Sequence, residues 1–360
     1  MSSIVTRLRP PRSSLGRSLA LLVAGALVVV LVSDALGAYD DLQLANGAYY
    51  FIVLAGLTVL IGHNGQISLG HGGLMAVGAY TVALLIGNEG WPLLPALIAS
   101  VLSASVIGVA VGAAATRLRG PYLAGVTLAF AVGLPAVADR FPGTFGGENG
   151  LTINPPIPPA ALGSSFPLER WEAWIACAGA LIVAVLMYNF TRSGTGRALR
   201  AVRDDEVSAS LCGYRVGRTQ TMAFVVSAAC AGLGGGMLTV VLQLAQPGAF
   251  PLQLSLSLLT AVVLGGLGSQ VGAIWGAALL VLLPGWSNDI ANSFSLSTKV
   301  SANLPLAIYG LVLIGAMLVW PSGIQGGVRA VWNRFGAMRA TTSSAISTPD
   351  RLKPSQGGEG

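Results

Sequence analysis

LSLLTAVVLGGLGSQVGAIWGAALLVLLP, residues 256–284, reads in two ways, and the choice fixes the topology. As one helix it would be about 43 Å long at ~1.5 Å per residue, too long for a ~30 Å hydrocarbon core without strong tilt. As two passes, 256–268 and 272–284, each half reaches only about 20 Å. Charge decides between them. Basic residues gather in cytoplasmic loops. With the N-terminus inside, segments 1–17, 116–122, 192–220 and 321–360 face the cytoplasm and hold 17 of the 20 Lys and Arg residues. Only Arg140, Arg170 and Lys299 remain outside. A single pass over 256–284 would put the basic tail, Arg329 to Lys353, on the wrong side. A hairpin of two short passes is therefore expected.

The rest of the chain has the same character. Of its 360 residues 53% are hydrophobic and 9% charged, against about 25% charged in a soluble domain. Full crossings are expected at 18–33, 42–62, 72–87, 91–115, 123–138, 173–191, 221–243 and 304–320. With the hairpin this makes an all-α, polytopic helix bundle of about ten passes, both termini cytoplasmic. The period-two alternation of a membrane barrel is absent. The permease domain is expected to cover 18–320, between a cytoplasmic segment 1–17 and a cytoplasmic tail 321–360. That tail reads as disordered beyond about 339. Loop 139–172 is the long extracytoplasmic segment. The first run follows four arginines but no small-residue cleavage site, so it reads as a retained span.

The formal charge of +6 needs no nucleic acid to explain it. Three cysteines without CxxC spacing give neither a disulfide framework nor a metal site. No phosphate-loop, HExxH or nucleophile-elbow pattern is present, so no catalytic residue, metal or cofactor is expected. No span carries Asp, Glu, Lys or Arg in its middle, which argues against a proton relay.

Two polar, Gly-rich stretches interrupt this apolar chain. One is GHNGQISLGHGG, residues 62–73, which carries both histidines, His63 and His71. The other is LGGLGSQVGAIWG, 264–276. Irregular backbone at membrane depth is tolerated only where protein or a watery cavity covers it. In transporters such breaks often mark solute sites. A polar turn and a tight re-entrant turn are the simpler readings, and the residues alone leave both open. A third feature is RSGTGRALRAVRDDEVSASLCGYRVGRTQ, 192–220. It reads as one short helix over about Arg197 to Leu211, with Arg197, Arg200 and Arg203 on one side, an Arg200–Asp204 pair at i,i+4, and Gly213 as its stop. It is either a basic loop beside anionic lipid or a docking helix for a cytoplasmic partner.

Five motifs, in order, resemble the permease subunits of branched-chain amino-acid ABC importers, of the LivM type. They are G-x-x-G-Q-x-S-L-G-H from Gly62, G-x-Y-x-A-x-V-T-L-A-F from Gly120 and G-G-x-N-G-L from Gly146. G-R-A-L-R-A-V-R-x-x-E from Gly196 and V-V-L-G-G-L-G-S-x-x-G from Val262 complete the set. The likeness spans about residues 40–325. Departures fall at His63, Phe145 and 321–323.

The resemblance implies a bacterial inner-membrane subunit that works with a sister permease, two ATPase subunits and an extracytoplasmic solute-binding protein. It implies that 192–220 couples to the ATPase, with Arg197, Arg200, Arg203, Glu206 and Gly213 at or near the contact. Gln66, Ser68, Gly70, Thr127, Gly268 and Gln270 are the candidates for lining the solute path. The expected solute is leucine, isoleucine or valine. Relatives carrying urea or short amides, an ATPase-independent channel or carrier, and a purely structural subunit are the alternatives.

Overall fold

The computed structural model describes residues 14–35, 37–118, 121–163 and 166–293, with 304, 307–308, 310–311, 314–315 and 323–328 beyond them. Segment 1–13, most of the expected last span and the tail beyond 328 lie outside the described residues. The main helices are α1 (Ser14–Ala35), α2 (Ala38–Leu57, continued by a wider π turn Thr58–His63) and α3 (His71–Ala83, widened over Leu84–Asn88). Then come α4 (Leu93–Ala115), α5 (Pro121–Arg140), the single turn α6 (Pro142–Phe145) and α7 (Leu168–Arg192). The last are α8 (Gly194–Asp204), α9 (Glu206–Leu211), α10 (Val216–Leu242), α11 (Leu252–Gly265) and α12 (Gln270–Ser293). Among the described residues six helices are long and apolar enough to cross a membrane, and Leu22–Ala35 and Gln270–Trp286 form shorter apolar ones. The protein is a polytopic membrane helix bundle.

α2 and α10 are the most deeply buried spans, whereas α4, α5 and α7 leave much of their surface exposed. In a bilayer, apolar side chains gain little by exchanging lipid for one another, so close backbone approach does the packing. Small residues make it possible. A methyl carbon at Gly108 of α4 would lie 2.5 Å from Ala228 Cβ of α10, and one at Gly56 of α2 would lie 2.5 Å from Cys230 Cβ. Gly232 of α10 sits where α3 and α4 both meet it, with Gly78 on one side and Ser100 and Ala104 on the other.

The chain reverses at 266–269, and α11 and α12 pack against each other, with Gly265 against Gly272 and Gly276 against the Ala261 carbonyl. The second arm is longer than the sequence reading of 272–284: α12 continues through Pro284 to Ser293. Hydropathy sees only the apolar part, and the helix runs on through the polar Ser287-Asn288-Asp289.

At the end of the bundle that carries most of the acidic residues, Arg170 of α7 bonds Asp34 of α1 at 3.2 Å and the buried Asp41 of α2 at 3.4 Å. The G-G-x-N-G-L motif shapes the same end. Gly146, Gly147 and Gly150 all have left-handed backbone, φ 76°, 60° and 70°, a region costly to any residue with a Cβ. They turn the chain into strand β1 (Leu151–Thr152), which pairs antiparallel with β2 (Leu244–Ala245) after α10. Loop 141–167 is thus fastened over the bundle.

Candidate functional site

The helical rule fails between α2 and α3. Residues 65–70 leave the helix, and their backbone groups need partners at depth. Hydroxyls from three other helices bond to this stretch and to the first residues of α3 that follow it. Leu69 N–H donates to Thr127 Oγ1 of α5 at 3.0 Å. Gly72 N–H donates to Ser255 Oγ of α11 at 3.0 Å. His71 Nε2 and Ser227 Oγ of α10 share a 2.7 Å bond. Gly70 N–H turns to Ser68 Oγ at 3.3 Å. Gly70 packs tightly here: a methyl carbon on it would sit 3.0 Å from the Thr127 carbonyl.

The structure brings three of the expected path residues, Ser68, Gly70 and Thr127, into this one junction, all buried. Their polar groups are occupied by the chain itself. Gln66 goes elsewhere. It is half-buried, accepts from Asn64 Nδ2 at 2.7 Å, and faces a cavity of about 710 Å³ with Arg203, Glu206 and Gln220. Gly268 stands in the 266–269 turn with φ 78°. Gln270 opens α12, donating to the Ala55 carbonyl at 3.4 Å while its buried Oε1 has no partner. A larger cleft, about 1040 Å³, lies between α4, α7 and α10 at the acidic end. Its lining is almost wholly apolar, so the smaller cavity is the one that offers polar groups.

Replacing Thr127 with valine leaves the Leu69 amide without its acceptor. The expected loss is about 1–3 kcal/mol, read as a lower unfolding midpoint in detergent, and Thr127→Ser restores it.

The basic loop differs from its sequence reading. It holds two helices, because the chain breaks at Asp205 (φ −159°, ψ 113°). Asp205 caps α9: Oδ1 accepts from Val207 N–H at 2.8 Å and Ser208 N–H at 3.3 Å, and Oδ2 from Ser208 Oγ at 2.7 Å. A free cap at mid-segment outweighs continuation of one helix. Gly213, φ 86°, ends α9, with Gly213 N–H on Ser210 O and Tyr214 N–H on Ala209 O, the double closure that favours glycine. The expected Arg200–Asp204 pair is not formed. Arg200 donates instead to the Thr191 carbonyl at 3.2 Å, an open acceptor at the end of α7. Arg203 donates to the Gly62 carbonyl. Glu206 accepts from Gln220 Nε2 at 2.8 Å, and Arg197 is exposed. Leu199 and Val202 bury the other side of α8.

The Ser208 side chain, then the Ser208 and Val207 amides, hold the Asp205 carboxyl below its ordinary range. A depressed carboxyl stabilises the folded loop above its unfolded pKa, and that contribution is lost as pH falls through the folded value. Acidification through that range should speed hydrogen exchange at Val207 and Ser208. Asp205→Asn, which caps without ionising, should remove the pH dependence.

Sequence reasoning missed Ser227, Ser255, Asn64 and Gln220. The available signal was a polar side chain inside or beside an apolar run, but such residues are too common to single out.

A bundle broken at one polar junction, with a basic elbow fixed beneath it, has the build of a multi-pass membrane permease. The family model described as the branched-chain amino acid transport system / permease component matches residues 42–320. The chain belongs to that ABC-transporter permease family and is a transport subunit, not an enzyme. It is 31% identical over 332 residues to the high-affinity branched-chain amino acid transport system permease protein LivM of Salmonella typhimurium, covering 84% of this chain and 74% of that one. It is 26% identical to LivH of Escherichia coli K12, covering 78% and 92%. It is also 26% identical to the autoinducer 2 import system permease protein LsrC of an Enterobacter strain, covering 81% and 82%. No solved structure matches the chain.

Proposed function

We propose that the chain is one membrane subunit of an ATP-driven importer for a branched-chain amino acid. It crosses the membrane ten times, with both termini and the α8–α9 elbow in the cytoplasm. It pairs with a sister permease, takes its driving force from two ATPase subunits seated on the elbow, and receives solute from an extracytoplasmic binding protein on the 141–167 side. Gln66, Gln270 and the 266–269 turn are the groups with polar capacity left for the path. Ser68, Gly70 and Thr127 hold that path's wall in shape.

The observation that carries this reading is the basic elbow: two short helices, individually capped and held to the bundle by Arg200, Leu199 and Val202. The helices leave Arg197 exposed for a partner. The interior supports it as well. Among the described residues the buried carboxylates, Asp41 and Glu172, lie in the first turn of α2 and just past the first turn of α7, so the middle of the described spans carries no fixed ion to hold a zwitterion too tightly. The likeness to an autoinducer 2 permease favours a second reading, in which the same machinery moves another small polar solute.

The test is reconstitution in vesicles. ATP-dependent leucine uptake that appears only with the partner subunits supports the proposal. Leucine flux through the chain alone refutes it in favour of a channel.

A further inference from the structure

We propose that Arg203 is a positioning residue which ties the coupling helix α8 to the α11–α12 hairpin through the Gly62 carbonyl, so that movement of the elbow moves the hairpin turn. This rests on the reading of 192–220 as the ATPase-coupled elbow. It assigns Arg203 an inward task distinct from partner contact.

Three observations meet at Gly62. The first is the Arg203 guanidinium, which donates to its carbonyl. That carbonyl lies in the last turn of the α2 extension, where helix acceptors run out and the dipole is negative, a favourable place for a cation. The neighbouring carbonyls of Leu60 and Ile61 are capped by Gln66 N–H at 3.3 Å and Gly65 N–H at 3.1 Å. The second is backbone contact with the hairpin. A methyl carbon at Gly62 would lie 2.5 Å from Gly268 Cα, so nothing but main chain separates α2 from the turn. The third is the shape of that turn. Gly266 and Gly268 both have positive φ, 120° and 78°, and Gly266 also adjoins Gly323. It is a bend whose torsions favour glycine, set directly against the α2 extension.

α8 therefore has two grips with different destinations. Arg200 holds the end of α7, and Arg203 reaches α2 and, through it, the hairpin. The stem of Arg203 also lies along Gly65, where a methyl carbon would be 3.0 Å from Arg203 Cγ, so the stretch beginning at residue 65 is in contact with the same side chain. A charge-assisted bond to a main-chain acceptor is about twice as strong as a neutral one, which suits a joint that must carry displacement.

The experiment uses the full complex in vesicles, with Cys212 replaced by serine and a spin label at Leu267→Cys on the exposed edge of the turn. The label is read before and after trapping the ATPases with ATP and vanadate. With Arg203 present the spectrum changes on trapping. Arg203→Met, which keeps the stem and removes the donors, should shrink that change about fivefold or more while the ATPases still co-purify. Arg203→Lys should recover part of it, since a lysine lacks the planar fork. Arg200→Met, which severs only the α7 grip, should leave the signal at 267 largely intact. Three results would overturn the proposal: an undiminished change in Arg203→Met, loss of ATPase association in that variant, or a complex that hydrolyses ATP with no response at 267. Failure of the Arg203-containing complex to bind ATPases at all would instead refute the underlying reading of the elbow.

Discussion

A leucine at position 232 prevents α3, α4 and α10 from closing, and Gly232→Leu should yield almost no monodisperse protein after detergent extraction. Gly232 touches two helices at once. A methyl carbon there would stand 2.5 Å from the Ser100 carbonyl, with the Gly78 backbone pressed against the other side. Overfilling a packed core typically costs about 1–3 kcal/mol where side chains can give way. Here the obstacles are the Ser100 carbonyl and the Ala104 Cβ, neither of which can swing aside, so the expected cost is about 3 kcal/mol or more. Gly125 on α5 is the internal comparison, because open space surrounds it. Gly125→Leu should extract and unfold like the parent chain. Equal stability of the two variants would mean that the α3–α4–α10 seam is not what holds the bundle.

Gly196→Val should leave that bundle standing and silence transport. Gly196 begins the fold of α8 back onto α7. A methyl carbon there would lie 2.8 Å from the Phe190 carbonyl and nearer still to that of Thr191. Valine must lift α8 away, which breaks the Arg200 bond to Thr191 and withdraws Arg203 from Gly62. Uptake in the reconstituted system should fall by about tenfold or more, the scale of losing one or two charge-assisted hydrogen bonds. The unfolding midpoint of the membrane part should barely move. Gly194, whose nearest neighbour is the tip of Arg197 at 3.8 Å, should accept alanine with uptake intact. Normal uptake by Gly196→Val would remove the packed elbow from the mechanism.

The contrast between those two sites shows which parts of the molecule could be read from sequence. Membrane helices announce themselves because lipid demands apolar side chains whatever the tertiary arrangement, so α2, α4, α7 and α10 lie close to the runs seen in the chain. The break at 65–70 was visible for the same reason, as polar residues where none should be. Gly213 was readable as a stop because left-handed backbone favours glycine locally. The partners of the broken stretch were not readable. Leu69 finds Thr127 across 58 positions and Gly72 finds Ser255 across 183, and no local pattern encodes either match. Asp205 was misread as interior to one helix because its capping role depends on a backbone torsion that periodicity does not reveal. Arg200 was given to Asp204 on spacing alone, whereas the unsatisfied end of α7 offered a better acceptor.

The three left-handed glycines at 146, 147 and 150 bear on how this transporter can diversify. Torsion angles there dictate the amino acid independently of cargo. A saturation library challenged with different nutrients should return glycine at all three sites in every selection, while variation accumulates at 66 and 270 if these line the path as proposed. On that assignment, specificity could drift without loosening the clasp that β1 and β2 form after α10.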